Sequence, residues 1–266
     1  MLREPIQSIV SFPFYRQVPQ KSFAAASGYI AYLGLLFAAA VVLAIFVHLH
    51  PKIDAAADWA SAALPRVVLD GGKLTSIPPG PREVRHPEIQ DLAIVVDVDR
   101  AEPVPVQEMM DRKLMVYLTQ NALYIYDSKR LQTYDLAPAK AGKRVEVDEK
   151  FYRTFARAAK IVLYPVGFFT AWAVFFFWKH ASAAIYALLA FLLNALMDSG
   201  LEFPALYKLA VYAQTPVIAL QIVSLFLPRI PYFGILALLV VGVYLWQAIR
   251  LIATPPDPAS PLPLDA

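Results

Sequence analysis

The chain has 266 residues, a formal net charge of +3, 58% hydrophobic residues and only 17% charged ones, with a mean hydropathy of +0.50. A soluble domain of this size needs more charge to cover its surface, and no basic cluster with interleaved aromatics offers itself to nucleic acid. Cysteine is absent, which excludes disulfides, thiolate metal sites and cysteine nucleophiles.

The charges are uneven. Most lie between Lys52 and Lys160, which predicts an aqueous module inserted into a membrane protein. Residues 1–22 form a cytoplasmic leader. In "PIQSIVSFPFYRQVP", Ile6, Ile9, Val10 and Phe14 share a helical face that Pro13 interrupts. The stretch reads either as a short helix in the membrane interface or as an ordinary polar leader.

A span needs about 20 apolar residues at about 1.5 Å rise each. Residues 23–49 meet this without a charge. Arg3, Arg16 and Lys21 precede the run as in a signal peptide. It is too long for one, however, and no short polar cleavage region follows, so it reads as an uncleaved anchor. His48 and His50 close it with the spacing of half a metal site. No partner ligands accompany them, and an interfacial polar pair is the expectation. No metal or cofactor is expected.

Residues 50–160 read as a small extracytoplasmic α+β module. "IDAAADWASAALP" is a short helix ending at Pro65, Asp70-Gly71-Gly72 is a turn between strand-like runs, and residues 78–87 are a proline-rich loop. From Lys113 to Ala137, Leu114, Val116 and Leu118 alternate with Met115, Tyr117 and Thr119. Two-residue turns at Gln120-Asn121 and Ser128-Lys129 then make a three-stranded meander carrying Tyr124, Tyr126 and Tyr134. Asp148 is placed to cap a helix that runs into the next span.

Residues 161–253 are expected to form a four-helix transmembrane cluster, followed by a proline-rich tail, 254–266. The spans are Ile161–Trp178, Ala181–Met197, Leu209–Leu227 and roughly Tyr232–Ile252. The first two are joined by Lys179 and His180 alone, which predicts a tight antiparallel hairpin. The expected fold is thus an α-helical integral membrane protein with about five transmembrane helices and a small α+β extracytoplasmic insert. The lysines and arginines of short loops put the N-terminus and the Lys179 and Arg229 turns inside, and residues 50–160 and the tail outside. Arg250 runs against this trend and snorkels. With Lys179 in a turn, the spans hold Asn194, Gln214, Gln221 and Gln247 but no internal acid or base, so no ion pathway is expected.

Two stretches invite a chemical reading. In "AIVVDVDRA", Asp97 and Asp99 follow an apolar strand, similar to the nucleophile motif of haloacid-dehalogenase phosphatases. There one carboxylate attacks and the other is the acid/base, and on a strand both share a face. The threonine that should follow is missing, and Arg100, Ala101 and Glu102 stand there instead. Solvated carboxylates at a strand end, paired with Arg100, are the expectation. "DGGKL" lacks the spacing of a phosphate loop, no nucleophile elbow is present, and no enzyme is expected.

The second stretch is "YKLAVYAQTPVIALQ". Tyr207, Gln214 and Gln221 recur every seven residues and form one helical stripe. Pro216 has no N–H for the carbonyl of Tyr212, and the hydroxyl of Thr215 is placed to reach that carbonyl instead. Asn194 is expected to hydrogen-bond the stripe. Either this is a kinked helix packed in the cluster, which is the expectation, or a broken helix built around a ligand.

The segments "GGKL", "IPPGP", "IVVD", "MVYLTQNALYIYD" and "LYKLAVYAQTPVIAL" resemble the bacterial membrane family of domain of unknown function 1189. The late helix also looks like the Yip1 membrane family. The resemblance implies one span, an extracytoplasmic insert and then a helical cluster. Some relatives are named as maltodextrin-utilisation proteins, which implies an accessory role near sugar uptake. The family supplies no catalytic or binding residue to carry over. The expected function is that of a non-enzymatic accessory or scaffold protein of the bacterial cytoplasmic membrane. Its partners would be the lipid bilayer and a membrane or envelope protein met by the module. The alternative is an extracytoplasmic ligand-sensing or substrate-binding protein.

Overall fold

The computed structural model describes residues 2–71, 73–87, 92–127, 130–136, 144–228 and 230–254. The chain divides into two compact units: residues 48–162, and residues 1–47 with 163–266.

The second of these is helical. It opens with α1 (Glu4–Val10) and a 3-10 segment, Phe12–Gln20. α2 (Phe23–Ala44) follows, capped by the Ser22 hydroxyl, which accepts from the Ala25 N–H. A π-helical turn at Ile45–Leu49 leads into α3 (His50–Ala63). The later helices are α5 (Glu149–Met197), α6 (Phe203–Ala213), α7 (Thr215–Ser224) and α8 (Phe233–Ala253).

Among the described residues, four helical runs are long and apolar enough to cross a membrane: Phe23–Ala63, Glu149–Met197, Phe203–Ser224 and Phe233–Ala253. The expected count of five is corrected at one place. Lys179 and His180 do not turn the chain; α5 runs straight through them. The physical reason lies in the residues. A two-residue helical hairpin needs glycine, proline or asparagine chemistry. The link instead offers Lys179, a good helix former, and alanines at 181, 183 and 184 immediately beyond. The expected hairpin is therefore one helix, about 74 Å long at about 1.5 Å per residue.

The even count changes where the end of the chain lies. The Arg16 guanidinium donates to the carbonyls of Leu251 (3.2 Å) and Thr254 (3.4 Å) at the end of α8. Lys208, in the second turn of α6, donates to the carbonyls of Pro19 and Lys21. The N-terminal segment, the start of α6 and the end of α8 thus share one end of the helical unit. The tail beyond residue 254 lies outside the described residues.

The leader is a short helix ending before Pro13, followed by a segment packed into the core. Phe14, Tyr15 and Val18 are buried in the helical core with Tyr29, Leu206, Leu209, Tyr212 and Leu245. Leu2, Ile6 and Val10 face outward, a stripe at i, i+4 and i+8. α1 is therefore polar toward the protein and apolar toward its surroundings. Small residues let the helices approach: Ala183, Ala187 and Ala190 of α5 are fully buried. Gly34 of α2 lies so close to Trp172 that an added Cβ would sit 3.1 Å from its ring.

The 48–162 unit holds two sheets. One has the order β2-β1-β8, with β1 Arg66–Asp70, β2 Lys73–Ile77 and β8 Val145–Val147, all antiparallel. Gly71 makes the β1–β2 turn at φ +57°; Gly72 lies outside the described residues. The other sheet has the order β3-β4-β5-β6-β7, from β3 Arg82–Arg85, β4 Ala93–Asp97, β5 Val116–Thr119, β6 Ala122–Asp127 and β7 Arg130–Asp135. The expected meander is β5-β6-β7, in the register Tyr117↔Tyr124 and Tyr124↔Thr133; the Ser128-Lys129 turn lies outside the described residues. β4 and β5 pair in parallel, and α4 (Val106–Asp111) stands in the connection between them. α4 was not expected, because six residues are too few for a helical period to register. Asp148 caps α5 as expected, accepting from the Phe151 N–H at 2.8 Å.

Candidate ligand site in the helical cluster

The site begins at the break between α6 and α7. Pro216 takes away the N–H that would meet the carbonyl of Tyr212. Thr215 supplies the substitute, donating to that carbonyl at 2.7 Å. The hydroxyl of Tyr15 reaches the same carbonyl at 3.3 Å and that of Ser8 at 2.9 Å. The Thr215 proton is spent on Tyr212, so in the 2.8 Å contact between Tyr29 and Thr215 the phenol is the donor. Tyr29 and Tyr212 stack with centroids 4.2 Å apart. The leader thus closes the break from one side, with Glu4 accepting from the Tyr212 hydroxyl at 3.1 Å and pairing with Lys21 at 2.9 Å.

The polar stripe faces the other way, toward α5. The Tyr207 hydroxyl and His180 Nδ1 are 2.6 Å apart. Gln214 Nε2 donates to the carbonyls of Ala210 (3.3 Å) and Lys179 (3.5 Å). Gln221, one turn before the end of α7, lines a cavity together with Lys179. Asn194 is not part of this set. Its Oδ1 accepts from Ser199 (2.6 Å) and the Leu201 N–H (3.0 Å), and its Nδ2 donates to the Leu201 carbonyl (3.2 Å). It closes the turn after α5, and the expectation that it bonds the stripe is corrected: one helix through residue 179 carries Asn194 to the far end of α5.

The cavity has a volume of about 640 Å³ and is lined by α2, α5, α7 and the start of α8. Its walls are apolar, with Phe37, Val41, Phe175, Leu225 and Phe233 prominent. Among the described residues the wall's other polar groups are the Trp178 indole N–H and the side chains of Thr170, Gln221 and Ser224, and the Ser224 hydroxyl is already bound to the Gln221 carbonyl at 2.8 Å. It opens at Val174 and Trp178, which are 62% and 65% exposed.

Lys179 is the chemically unusual group. Its residue exposure is 4%. Among the described residues its ammonium has no carboxylate and no hydrogen-bond acceptor; its recorded contact is the face of Phe175, 5.5 Å away. Two further buried atoms beside it, His180 Nε2 and Gln214 Oε1, have no hydrogen-bond partner among the described residues. An unpaired buried ammonium costs several kcal/mol. The residue was not foreseen as internal because the apolar pattern placed it in a turn. The available signal was the lack of any turn-forming residue beside it.

The carboxylate pair Asp97 and Asp99 does not assemble. β4 ends at Asp97, and Asp99 sits exposed in the turn beyond, so the two do not share a strand face. Val98 is buried between them and bends the chain out of the strand. Asp97 accepts from the Tyr117 hydroxyl at 3.1 Å, and burial pushes that phenol up from its ordinary range. Arg100 pairs with Glu108 at 2.9 Å rather than with either aspartate. His50 lies on Asp54 at 3.1 Å, and Lys160 reaches the same carboxylate at 2.6 Å. His48 belongs to the π-helical turn.

The family described as "Protein of unknown function (DUF1189)" matches residues 4–249 of the chain. No curated protein matches it, and no solved structure does.

Proposed function

The chain belongs to that family, and on this premise we propose that it is a non-enzymatic ligand-binding protein of the bacterial cytoplasmic membrane, crossing the bilayer four times. The N-terminal segment and the end of α8 lie inside and the 48–162 module outside. Arg3, Arg16, Lys21, Lys208 and Arg250 collect at the end of the helical unit that carries the N-terminus, which supports that orientation. The single observation behind the ligand reading is Lys179, 4% exposed and unneutralised among the described residues, on the wall of a 640 Å³ apolar cavity. Ligand pockets span about 300–1,000 Å³ and combine apolar walls with a few placed polar groups. A sugar fits this wall poorly, because most of its hydroxyls would meet hydrocarbon.

The test is native mass spectrometry of protein purified in mild detergent, before and after solvent extraction. A small molecule retained one-to-one supports the reading. A bare protein that also takes up no added amphiphile refutes it.

The module supports a second reading, as an accessory or scaffold protein. β7 is an edge strand whose residues are mostly exposed, and an edge can accept a strand from a partner. Affinity purification in mild detergent tests this. A stoichiometric protein partner lost on replacing Thr133, whose N–H faces the free edge, by proline supports it, and recovery of the protein alone counts against it.

A further inference from the structure

We infer that the Lys179 cavity takes a single-chain fatty carboxylate, with its acid group on Lys179 and its tail along the groove toward Phe233; this rests on the ligand-binding reading above. Four observations converge on that class of ligand.

The first is charge. Among the described residues the cavity wall carries one ammonium and no carboxylate, so a monoanion neutralises it and a zwitterion or a neutral molecule does not. The second is polarity. Away from Lys179 the wall is mostly hydrocarbon and aromatic, interrupted by Thr170, Gln221 and Ser224, and it rewards an apolar tail by the area it removes from water.

The third is length. Gly167 and Lys179 line the same groove on one face of α5. The twelve residues between them advance about 18 Å along the helix, the reach of a long acyl chain. Phe233 begins α8 and Leu225 follows α7, so the groove runs from mid-helix at Lys179 toward those helix ends. A volume of 640 Å³ accommodates one such chain rather than the two of a phospholipid. The fourth is access. Val174 and Trp178 leave the groove open on the outward face of α5. A hydrophobic acid dissolved in the bilayer can therefore enter sideways, without crossing water.

The experiment uses the full-length protein, stripped of bound lipid in detergent. Native mass spectrometry is used to titrate three probes: stearic acid, stearyl alcohol and a phosphatidylglycerol. Stearic acid should bind at least about tenfold more tightly than the alcohol of the same length, a difference of about 1.4 kcal/mol. Lys179→Gln should abolish that preference and leave the alcohol's affinity within about threefold of the native value. Lys179→Arg keeps the charge and should keep the preference, so the inference stays testable even where the glutamine variant folds poorly. Acid and alcohol binding equally well would overturn the fatty-carboxylate assignment while leaving a ligand site in place. Phosphatidylglycerol displacing the acid one-for-one would overturn it in favour of a two-chain lipid. Binding of none of the three would sink the ligand-binding reading itself.

Discussion

Replacing Thr215 by valine removes one hydroxyl and keeps the shape, which isolates the repair at the α6–α7 break. Two groups lose a partner. The Tyr212 carbonyl loses its 2.7 Å donor and keeps only the longer Tyr15 contact at 3.3 Å. The Tyr29 phenol loses its 2.8 Å acceptor and keeps Ser8 at 3.1 Å as an alternative. Tyr29, Tyr212 and Thr215 are all at most 2% exposed, so water does not take over. A buried group left unsatisfied costs about 1–3 kcal/mol. Both groups here retain a weaker partner, so the expected loss for Thr215→Val is about 1–2 kcal/mol. Tyr29→Phe deletes the stranded donor in advance. Thr215→Val should therefore cost less in that background, with a coupling of about 0.5–1.5 kcal/mol, within the range measured between membrane helices. The assay is a double-mutant cycle by thermal or denaturant unfolding in detergent on the four variants. Additivity within about 0.3 kcal/mol would refute the reasoning, because the two hydroxyls would then not be bonded to each other. An unchanged stability for Thr215→Val would refute the repair of the helix break as well.

A cysteine introduced at Glu102 should react with an impermeant thiol reagent in intact spheroplasts, while cysteines at Arg3 and Thr254 should not; labelling at Thr254 alone would restore an odd number of crossings. Gly34→Leu should destabilise the helical unit by about 1–3 kcal/mol in detergent unfolding, since even a Cβ meets Trp172 at 3.1 Å and Phe175 at 3.2 Å. Gly242→Ala meets Leu189 only at 3.8 Å and should be neutral or slightly stabilising. The Arg112 and Arg85 guanidinium groups beside Glu83 hold its carboxyl below the ordinary glutamate range. That stabilisation is complete above the unfolded-state value and is lost as pH falls through the lowered folded-state value. Glu83→Gln should therefore flatten the acid limb of a stability–pH curve by under about 1 kcal/mol, the pair being largely exposed; a change confined to neutral or alkaline pH would contradict the assignment.

Much of the chain could be read from local pattern alone. Apolar runs longer than a bilayer is thick, the β5–β6–β7 alternation, the Asp148 cap and the Thr215 repair of a proline-broken helix all depend on residues within about one turn or one strand of each other. The same locality concealed what α5 does at Lys179. A cation between two apolar runs looks like a turn when each run by itself is long enough to span a membrane. The helix formers at 179–184 allow the helix to continue, and packing holds it there, because α5 is fixed on both sides of residue 179. Trp172 donates to the Ala31 carbonyl at 3.2 Å, and the fully buried Ala183, Ala187 and Ala190 lie in the helical core beyond. From that continuity follow four rather than five long apolar helical runs, the meeting of Arg16 with the end of α8, the placing of Asn194 at the far turn, and a buried ammonium facing a cavity. Sequence determined which segments are apolar, which are strands and where the α6–α7 helix must break, since these are set by side chains close together in the chain. Tertiary structure decided what Lys179 is. Its environment is built from α2, α7 and α8, residues distant in sequence, and no local pattern records the company that a side chain keeps.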